Sequence, residues 1–272
     1  MLLKYGANIH HIEQEGINAM MLASQNGHDK VVELLLKIGA DVNYVEQEGV
    51  NALMLASLNG HTQVVDVLLK NGADIFIVEQ NGWDALMIAS QNGQDKVVAL
   101  LLQNGSDISH IDNEGWDALM YASQNGNQNV VNILLESKAD LYRINNYGID
   151  ALTIASHAGH YEVVDILLRN DRDGNSFNKY GTNNITSSAH YGHETDVGSR
   201  PEYNENKNQS TMKLNYALMT ASEAGHDKVV EILIKQGASA NHEDQHGWSA
   251  LMLASQNGYD KVVKILLKMD RK

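Results

Sequence analysis

Residues 82–109 read GWDALMIASQNGQDKVVALLLQNGSDIS, and this stretch decides the fold. Its first part places alanine, leucine and methionine at helical spacing after Asp84, a residue type that commonly caps helices. Asn92 and Gly93 are suited to a left-handed helix end. The apolar run that follows carries so many valines and leucines that its arc is too wide for a single exposed surface. The stretch therefore predicts two short helices and a polar loop.

The same pattern recurs every 33 residues without insertion or deletion, so the chain is an array of repeats. One ladder of loop glycines consists of Gly16, Gly49, Gly82, Gly115, Gly148, Gly181 and Gly247, with Leu214 at the remaining position. A single copy buries too little apolar surface to offset the entropy of ordering it, so successive copies must stack. We predict an all-α solenoid of stacked helix–turn–helix units with projecting loop fingers.

Residues 82–109 resemble an ankyrin repeat, and the resemblance covers nearly the whole chain. It rests on the period, on Gly-His pairs such as Gly27-His28, on the VV-x-LLL helix and on the GAD-x-N turn of residues 39–43. The family's Thr-Pro-Leu-His tetrapeptide is replaced here by Asn-Ala-Leu-Met, Asp-Ala-Leu-Met or Ser-Ala-Leu-Met. We expect the methionines to substitute packing for the hydrogen bonds of the missing histidine. They include Met54, Met87 and Met120.

The array divides into four parts in this interpretation. Residues 1–15 form a partial N-terminal repeat, 16–180 five repeats, 181–213 a degenerate sixth repeat, and 214–272 two C-terminal repeats. The sixth copy has Asp196, Ser199, Arg200 and Pro201 where the fifth has apolar side chains, so we expect its second helix to be lost. The composition of residues 198–212 is that of a loop, which predicts a soft joint before the last two repeats.

Composition excludes several classes of partner and chemistry. The formal net charge is −14 over 272 residues, so nucleic acids and anionic membranes are not expected partners. No apolar run is long enough to span a bilayer, and the N-terminal apolar stretch is too short for a signal peptide, which favours a cytoplasmic location. We expect the chain to be a monomer. The chain has no cysteine, so disulfides, cysteine-zinc sites and a thiol nucleophile are excluded.

No catalytic constellation or cofactor motif is apparent, and we predict a non-enzymatic chain without a cofactor. Phosphate-binding and dinucleotide-binding glycine motifs are absent. A serine recurs at one helix position of nearly every copy, which is typical of scaffold because a nucleophile is needed only once. We interpret His157, His160, His190 and His193 as structural, with a zinc ion bridging His157 and His190 as the alternative. Residues 171–175 are interpreted as an acidic loop and not as a calcium loop.

A binding surface remains as the main functional hypothesis. The ankyrin resemblance implies a concave groove, formed by the loop tips and the first helices, that binds other proteins. Trp83 and Trp116 are the expected anchors, although each could instead pack only on its own loop. Acidic loop tips favour a basic or mixed-charge partner. The predicted protein-binding residues are Val50, Glu79, Trp83, Gln91, Asp112, Glu114, Trp116, Gln124 and Ile149.

The predicted function is therefore that of a protein–protein interaction module. The alternative is a structural spacer, one part of a longer solenoid with no dedicated ligand.

Overall fold

The fold consists of short α-helices in consecutive pairs. A computed structural model of the chain describes residues 8–172 and 208–269, and the part it describes contains no strand. The predicted fold class, an all-α helical-repeat solenoid, is confirmed. The pairs are α1 (Ala19–Gln25) with α2 (Asp29–Lys37), α3 (Ala52–Leu58) with α4 (Thr62–Lys70), α5 (Ala85–Gln91) with α6 (Asp95–Gln103), α7 (Ala118–Gln124) with α8 (Gln128–Glu136), α9 (Ala151–Ala158) with α10 (Tyr161–Arg172), α11 (Asn208–Ala224) with α12 (Asp227–Lys235), and α13 (Ala250–Gln256) with α14 (Asp260–Met269).

The first helix of most pairs begins at a side-chain cap, as the sequence predicts. The Asp84 carboxylate accepts a hydrogen bond from the Met87 N–H at 2.8 Å, which satisfies a backbone donor that the helix itself leaves unpaired. The other caps found in this way are Asn18, Asn51, Asp117, Asp150 and Ser249. Where the helix ends, Gly93 has a φ of +68°, the left-handed conformation expected there.

The core is built from the valine and leucine run of the second helices and from the methionines of most first helices. In α4 the side chains of Val64, Val65 and Leu68 are fully buried. Met54, Met87 and Met120 are also buried, which confirms that packing occupies this tetrapeptide position.

The helix pairs belong to two compact units. The first comprises residues up to Ala122 together with Asn132–Ala139, and the second comprises Ser123–Val131 and the residues from Asp140 onwards.

Within the first unit, neighbouring copies are joined by a repeated side-chain contact. The Nε2 atom of His61 lies 3.0 Å from the Gln25 carbonyl oxygen, and the Gln94 amide donates to the Leu58 carbonyl at 3.0 Å. Each of these side chains covers a glycine of the preceding copy. A Cβ built on Gly27 would stand only 2.6 Å from the His61 ring, so this glycine is required by close approach as well as by its φ of +73°.

In the second unit, the seventh copy packs directly on the fifth. The helix α11 packs against α9, and α12 packs against α10. His226 lies 2.8 Å from the His157 carbonyl and covers Gly159, which repeats the contact between His61 and the copy before it. The soft joint that we expected over residues 198–212 lies mainly on residues outside those described and stays a prediction. The degenerate sixth repeat itself falls mainly on residues outside those described.

The helix α11 also begins earlier than predicted, because residues 208–212 are helical and not a loop. In the repeat frame, Leu214 replaces the loop glycine and Tyr216 replaces the capping residue. Neither a left-handed turn nor a side-chain cap can form at these positions, and no proline or glycine interrupts the helix before Gly225. The helix consequently extends upstream, past the predicted boundary of the seventh repeat.

Candidate functional site

The loop before each first helix is held by one polar side chain, which we call the loop clamp. In the third copy, Glu79 Oε1 accepts hydrogen bonds from the N–H groups of Asn81 and Trp83 at 2.9 and 3.0 Å. The same pattern, with distances of 2.8–3.0 Å, is made by Glu13, Glu46, Asp112, Asn145 and Asp244. The hydrogen bonds from Ile17 and Glu15 hold the pKa of Glu13 below its ordinary value. The clamp fixes the residue that follows the loop glycine.

This arrangement corrects the role expected for two predicted site residues. We expected Glu79 and Asp112 to be acidic loop tips that steer a partner. Asp112 is only 7% exposed, and Glu79 is half-buried. Both carboxylates point into their own loops because the tight turn leaves backbone N–H groups that need acceptors. Glu114 is exposed, so its carboxylate does lie at the loop surface.

Trp83 and Trp116 pack on the two sides of a third aromatic residue, Tyr121. The ring centroids of Trp83 and Tyr121 are 4.3 Å apart, and those of Trp116 and Tyr121 are 5.1 Å apart. We call these three residues the aromatic cluster. Both tryptophans remain half-buried, while Tyr121 is buried in α7. The tryptophans therefore stabilise the array across two copies, and neither packs only on its own loop.

Tyr121 is itself fixed by the loop clamp of its own copy. Its hydroxyl donates to Asp112 Oδ2 at 2.5 Å, while Oδ1 of the same carboxylate holds the N–H of Trp116. Burial, the hydrogen bond to Asp112 and the negative charge of that carboxylate raise the pKa of Tyr121 well above its ordinary value. One carboxylate thus positions two members of the aromatic cluster.

Tyr121 was not among the residues predicted from the sequence. The signal for it was present, because the other copies have leucine, isoleucine, threonine or serine at this sequence position. A tyrosine that interrupts this series, in the same copy as Trp116 and the copy after Trp83, indicates that these two copies differ locally from the others.

The remaining predicted residues are spread over both units. Val50 and Gln91 are half-buried in the first unit. In the second unit, Gln124 is exposed and Ile149 is half-buried. The Gln124 carbonyl is 2.9 Å from His160 Nε2, so its backbone is engaged in a repeat interface.

A row of exposed apolar side chains also runs along the loops of the first unit. It occupies the position immediately before the loop clamp in four successive copies, where each side chain is 41–46% exposed. We call this set the apolar row. It consists of Ile12, Val45, Val78 and Ile111.

The residues considered for chemistry have structural surroundings. His160 makes the repeat-interface contact just described, whereas His190 and His193 lie outside the described residues. Among the residues that the structure does describe, no group of three histidine or acidic side chains could hold a metal ion. Six of the recurring serines are fully buried, as expected of scaffold, whereas Ser255 of the last copy is exposed; the six are Ser24, Ser57, Ser90, Ser123, Ser156 and Ser222. None of the helices in the described ranges is both long and apolar enough to cross a membrane.

Comparisons with known proteins agree with the repeat geometry. A family model described as ankyrin repeats (3 copies) matches residues 1–79, 68–145 and 199–272. A second, described as ankyrin repeats (many copies), matches residues 125–168. A search of curated proteins gave no match. Since the family matches cover most of the sequence, and the helix pairs recur with their period, the chain belongs to the ankyrin-repeat family.

Proposed function

We propose that this chain is a non-enzymatic protein-binding module whose docking surface in the first unit is centred on Trp83 and Trp116. Ankyrin repeats are generally protein-interaction modules, and the proteins that contain them are typically non-enzymatic. The observation that carries the proposal is the aromatic cluster. It holds two half-buried tryptophans from adjacent copies against one buried tyrosine.

Pre-organisation of the two tryptophans favours binding. A large side chain that is already immobilised loses little conformational entropy when a partner covers it. Stacking on Tyr121 restrains both tryptophans, and the loop clamps of Glu79 and Asp112 fix their backbones. Tryptophan is also among the residues that most often dominate binding energy at interfaces.

Two further features define the kind of partner. The apolar row supplies exposed aliphatic side chains on the loops that carry the tryptophans. Glu48 and Glu114 are exposed on neighbouring loops, and the chain as a whole is strongly acidic. We therefore propose a protein partner with an apolar centre and a basic or mixed-charge periphery.

The test compares capture of proteins by three versions of the chain. In the first variant both Trp83 and Trp116 are changed to alanine. In the matched control Trp248, which follows the loop glycine of the last copy in the same way, is changed to alanine. Partners captured by the native chain are identified by mass spectrometry, and their affinities are then measured by calorimetry. Circular dichroism verifies that all three chains are folded.

We expect the double variant to bind the captured partner at least about 30-fold more weakly, because the loss of even one hot-spot tryptophan costs about 2 kcal/mol or more. The Trp248→Ala chain should bind like the native one. Equal binding by all three chains would remove the aromatic cluster from the proposed surface. In that case the structural spacer, which needs no ligand, becomes the better interpretation.

A further inference from the structure

Asparagine followed by glycine recurs in the first unit and forms a chemically reactive pair. Glycine has no Cβ, so its backbone nitrogen can reach the side-chain carbonyl of the preceding asparagine without steric hindrance. Whether a given pair reacts in the folded chain depends on how firmly its backbone is held. The first unit contains six such pairs, at residues 26–27, 59–60, 71–72, 81–82, 92–93 and 104–105.

Five of these pairs end a helix and share one geometry, whereas the pair 81–82 lies in the loop held by Glu79. The asparagines of the five pairs have ψ between 1° and 16°. Each of their side-chain amides donates to the carbonyl four residues earlier at 2.8–2.9 Å. With ψ near zero, the glycine nitrogen points away from the asparagine side chain. The end of the helix must therefore open before such a pair can react.

Two pairs at the ends of first helices are held in addition by the next copy. Beside Asn59, the side chain of Gln94 covers Gly60, and its amide donates to a backbone carbonyl of the same helix end at 3.0 Å. The ring of His61 covers Gly27 in the same way. Opening these helix ends therefore also breaks an interface between copies, which makes the opening rarer.

The two pairs at the ends of second helices are more accessible, and one neighbouring side chain distinguishes them. Gly72 and Gly105 are both exposed, and in the described part of the chain nothing beyond their own neighbours comes within 4 Å of a Cβ built on either glycine. Asn43 of the preceding copy donates to the Gly72 carbonyl at 3.2 Å and accepts from the Asp74 N–H at 2.7 Å. One period later, Phe76 stands at the position of Asn43. A phenyl ring can make neither bond, so the turn at Gly105 lacks this restraint.

We propose that Asn104 is a site of spontaneous deamidation in the folded chain and reacts faster than Asn59 and Asn71. The backbone nitrogen of Gly105 bonds to Cγ of Asn104. Its proton passes through solvent to the side-chain nitrogen, and the Cγ–Nδ2 bond breaks as ammonia leaves. Water then cleaves one of the two C–N bonds of the resulting five-membered imide, and the product is aspartate or isoaspartate. Water is the only other reactant.

The reaction changes the end of α6 and the loop that follows it. A carboxylate replaces the amide that donates to the Leu100 carbonyl, and it places negative charge at a helix C-terminus, where the helix dipole disfavours it. Isoaspartate also lengthens the backbone by one carbon. The same loop continues to Asp112 and Trp116, so the modified residue lies at the base of the loop that carries one tryptophan of the aromatic cluster. This inference does not depend on the protein-binding function proposed above.

The test measures deamidation at each pair in the folded and in the unfolded chain. The chain is incubated at mildly alkaline pH, and aspartate and isoaspartate are located by chromatography and mass spectrometry of its peptides. The same incubation in guanidinium chloride gives the rate of each pair without structure, so the ratio of the two rates isolates protection by the fold. Two matched variants, Asn43→Phe and Phe76→Asn, exchange the side chains that distinguish the two turns. Both residues are exposed, so neither change should unfold the chain.

We expect Asn104 to be at least about fivefold less protected than Asn59 and Asn71, because opening either of those also breaks hydrogen bonds between copies. Asn43→Phe should raise the rate at Asn71 by about fivefold and leave Asn104 unchanged, whereas Phe76→Asn should slow Asn104. A folded chain in which Asn104 is as protected as Asn59 would overturn the proposal. So would an Asn43→Phe chain in which Asn71 keeps its protection, or a Phe76→Asn chain that reacts at Asn104 as fast as the native one.

Discussion

Replacing Tyr121 by phenylalanine isolates the hydrogen bond that links the aromatic cluster to its loop clamp. Phenylalanine keeps the ring that both tryptophans contact but removes the hydroxyl that donates to Asp112 at 2.5 Å. Hydrogen bonds to charged groups contribute about 1.5–3 kcal/mol, and the buried carboxylate would lose one of its donors. We expect the free energy of unfolding to fall by about 2 kcal/mol, which corresponds to about 4–8 °C in Tm for a chain of this size.

The measurement is urea unfolding followed by circular dichroism, with Tyr147→Phe as the matched control. Tyr147 is half exposed, so removal of its hydroxyl should change the unfolding free energy by less than about 0.5 kcal/mol. Tyr121→Ala should cost about 3–5 kcal/mol because the stacking is lost as well. If Tyr121→Phe is as stable as the native chain, the hydrogen bond to Asp112 does not hold the cluster, and our account of its rigidity is wrong.

Three other changes test the repeat geometry. Burial raises the pKa of Asp84 above its ordinary 3.8, so the contribution of Asp84 to stability falls as pH rises through its folded pKa. Asp84→Asn keeps the helix cap and should be more stable than the native chain at neutral pH. In acid titrations of unfolding, this variant should lack the pH dependence that Asp84 causes. Gly159→Ala should cost at least about 1 kcal/mol more than Gly72→Ala in thermal unfolding, because only the former brings a Cβ against His226, and equal costs would contradict that contact. His226→Ala and His61→Ala should each lower the unfolding free energy by about 1 kcal/mol, whereas no effect of His226→Ala would contradict the contact between the seventh and fifth copies.

Much of the fold could be predicted from the sequence because each copy repeats the same local instructions. The capping residue at Asp84, the glycine at Gly93 and the valine run of the second helix act within a few residues of themselves. Such local preferences can be predicted from the sequence of a single copy, because they do not depend on contacts with other copies. Their repetition then fixes the stacking, since no copy can bury its apolar face alone.

The parts that escaped prediction depend on contacts between copies or on what a side chain does once a turn has formed. The direct contact of His226 with the fifth copy could not be deduced from a frame that counts every 33 residues, because it skips one full period. The inward orientation of Glu79 and Asp112 follows from unsatisfied N–H groups that exist only after the loop closes. Tyr121 was overlooked because its contacts join two loops, the one that precedes its own helix and the one that carries Trp83.

The loop clamp keeps the loop backbone constant while the side chain after the loop glycine varies from copy to copy. One clamp oxygen accepts hydrogen bonds from backbone N–H groups of the loop, so the residue after the glycine has the same backbone position whatever its side chain. Valine, tryptophan and isoleucine already occupy that place in successive copies, at Val50, Trp83, Trp116 and Ile149. Mutation can therefore exchange this side chain without disturbing the backbone that the loop clamp holds. An acidic residue that we expected to contact solvent thus allows each loop of the array to evolve separately.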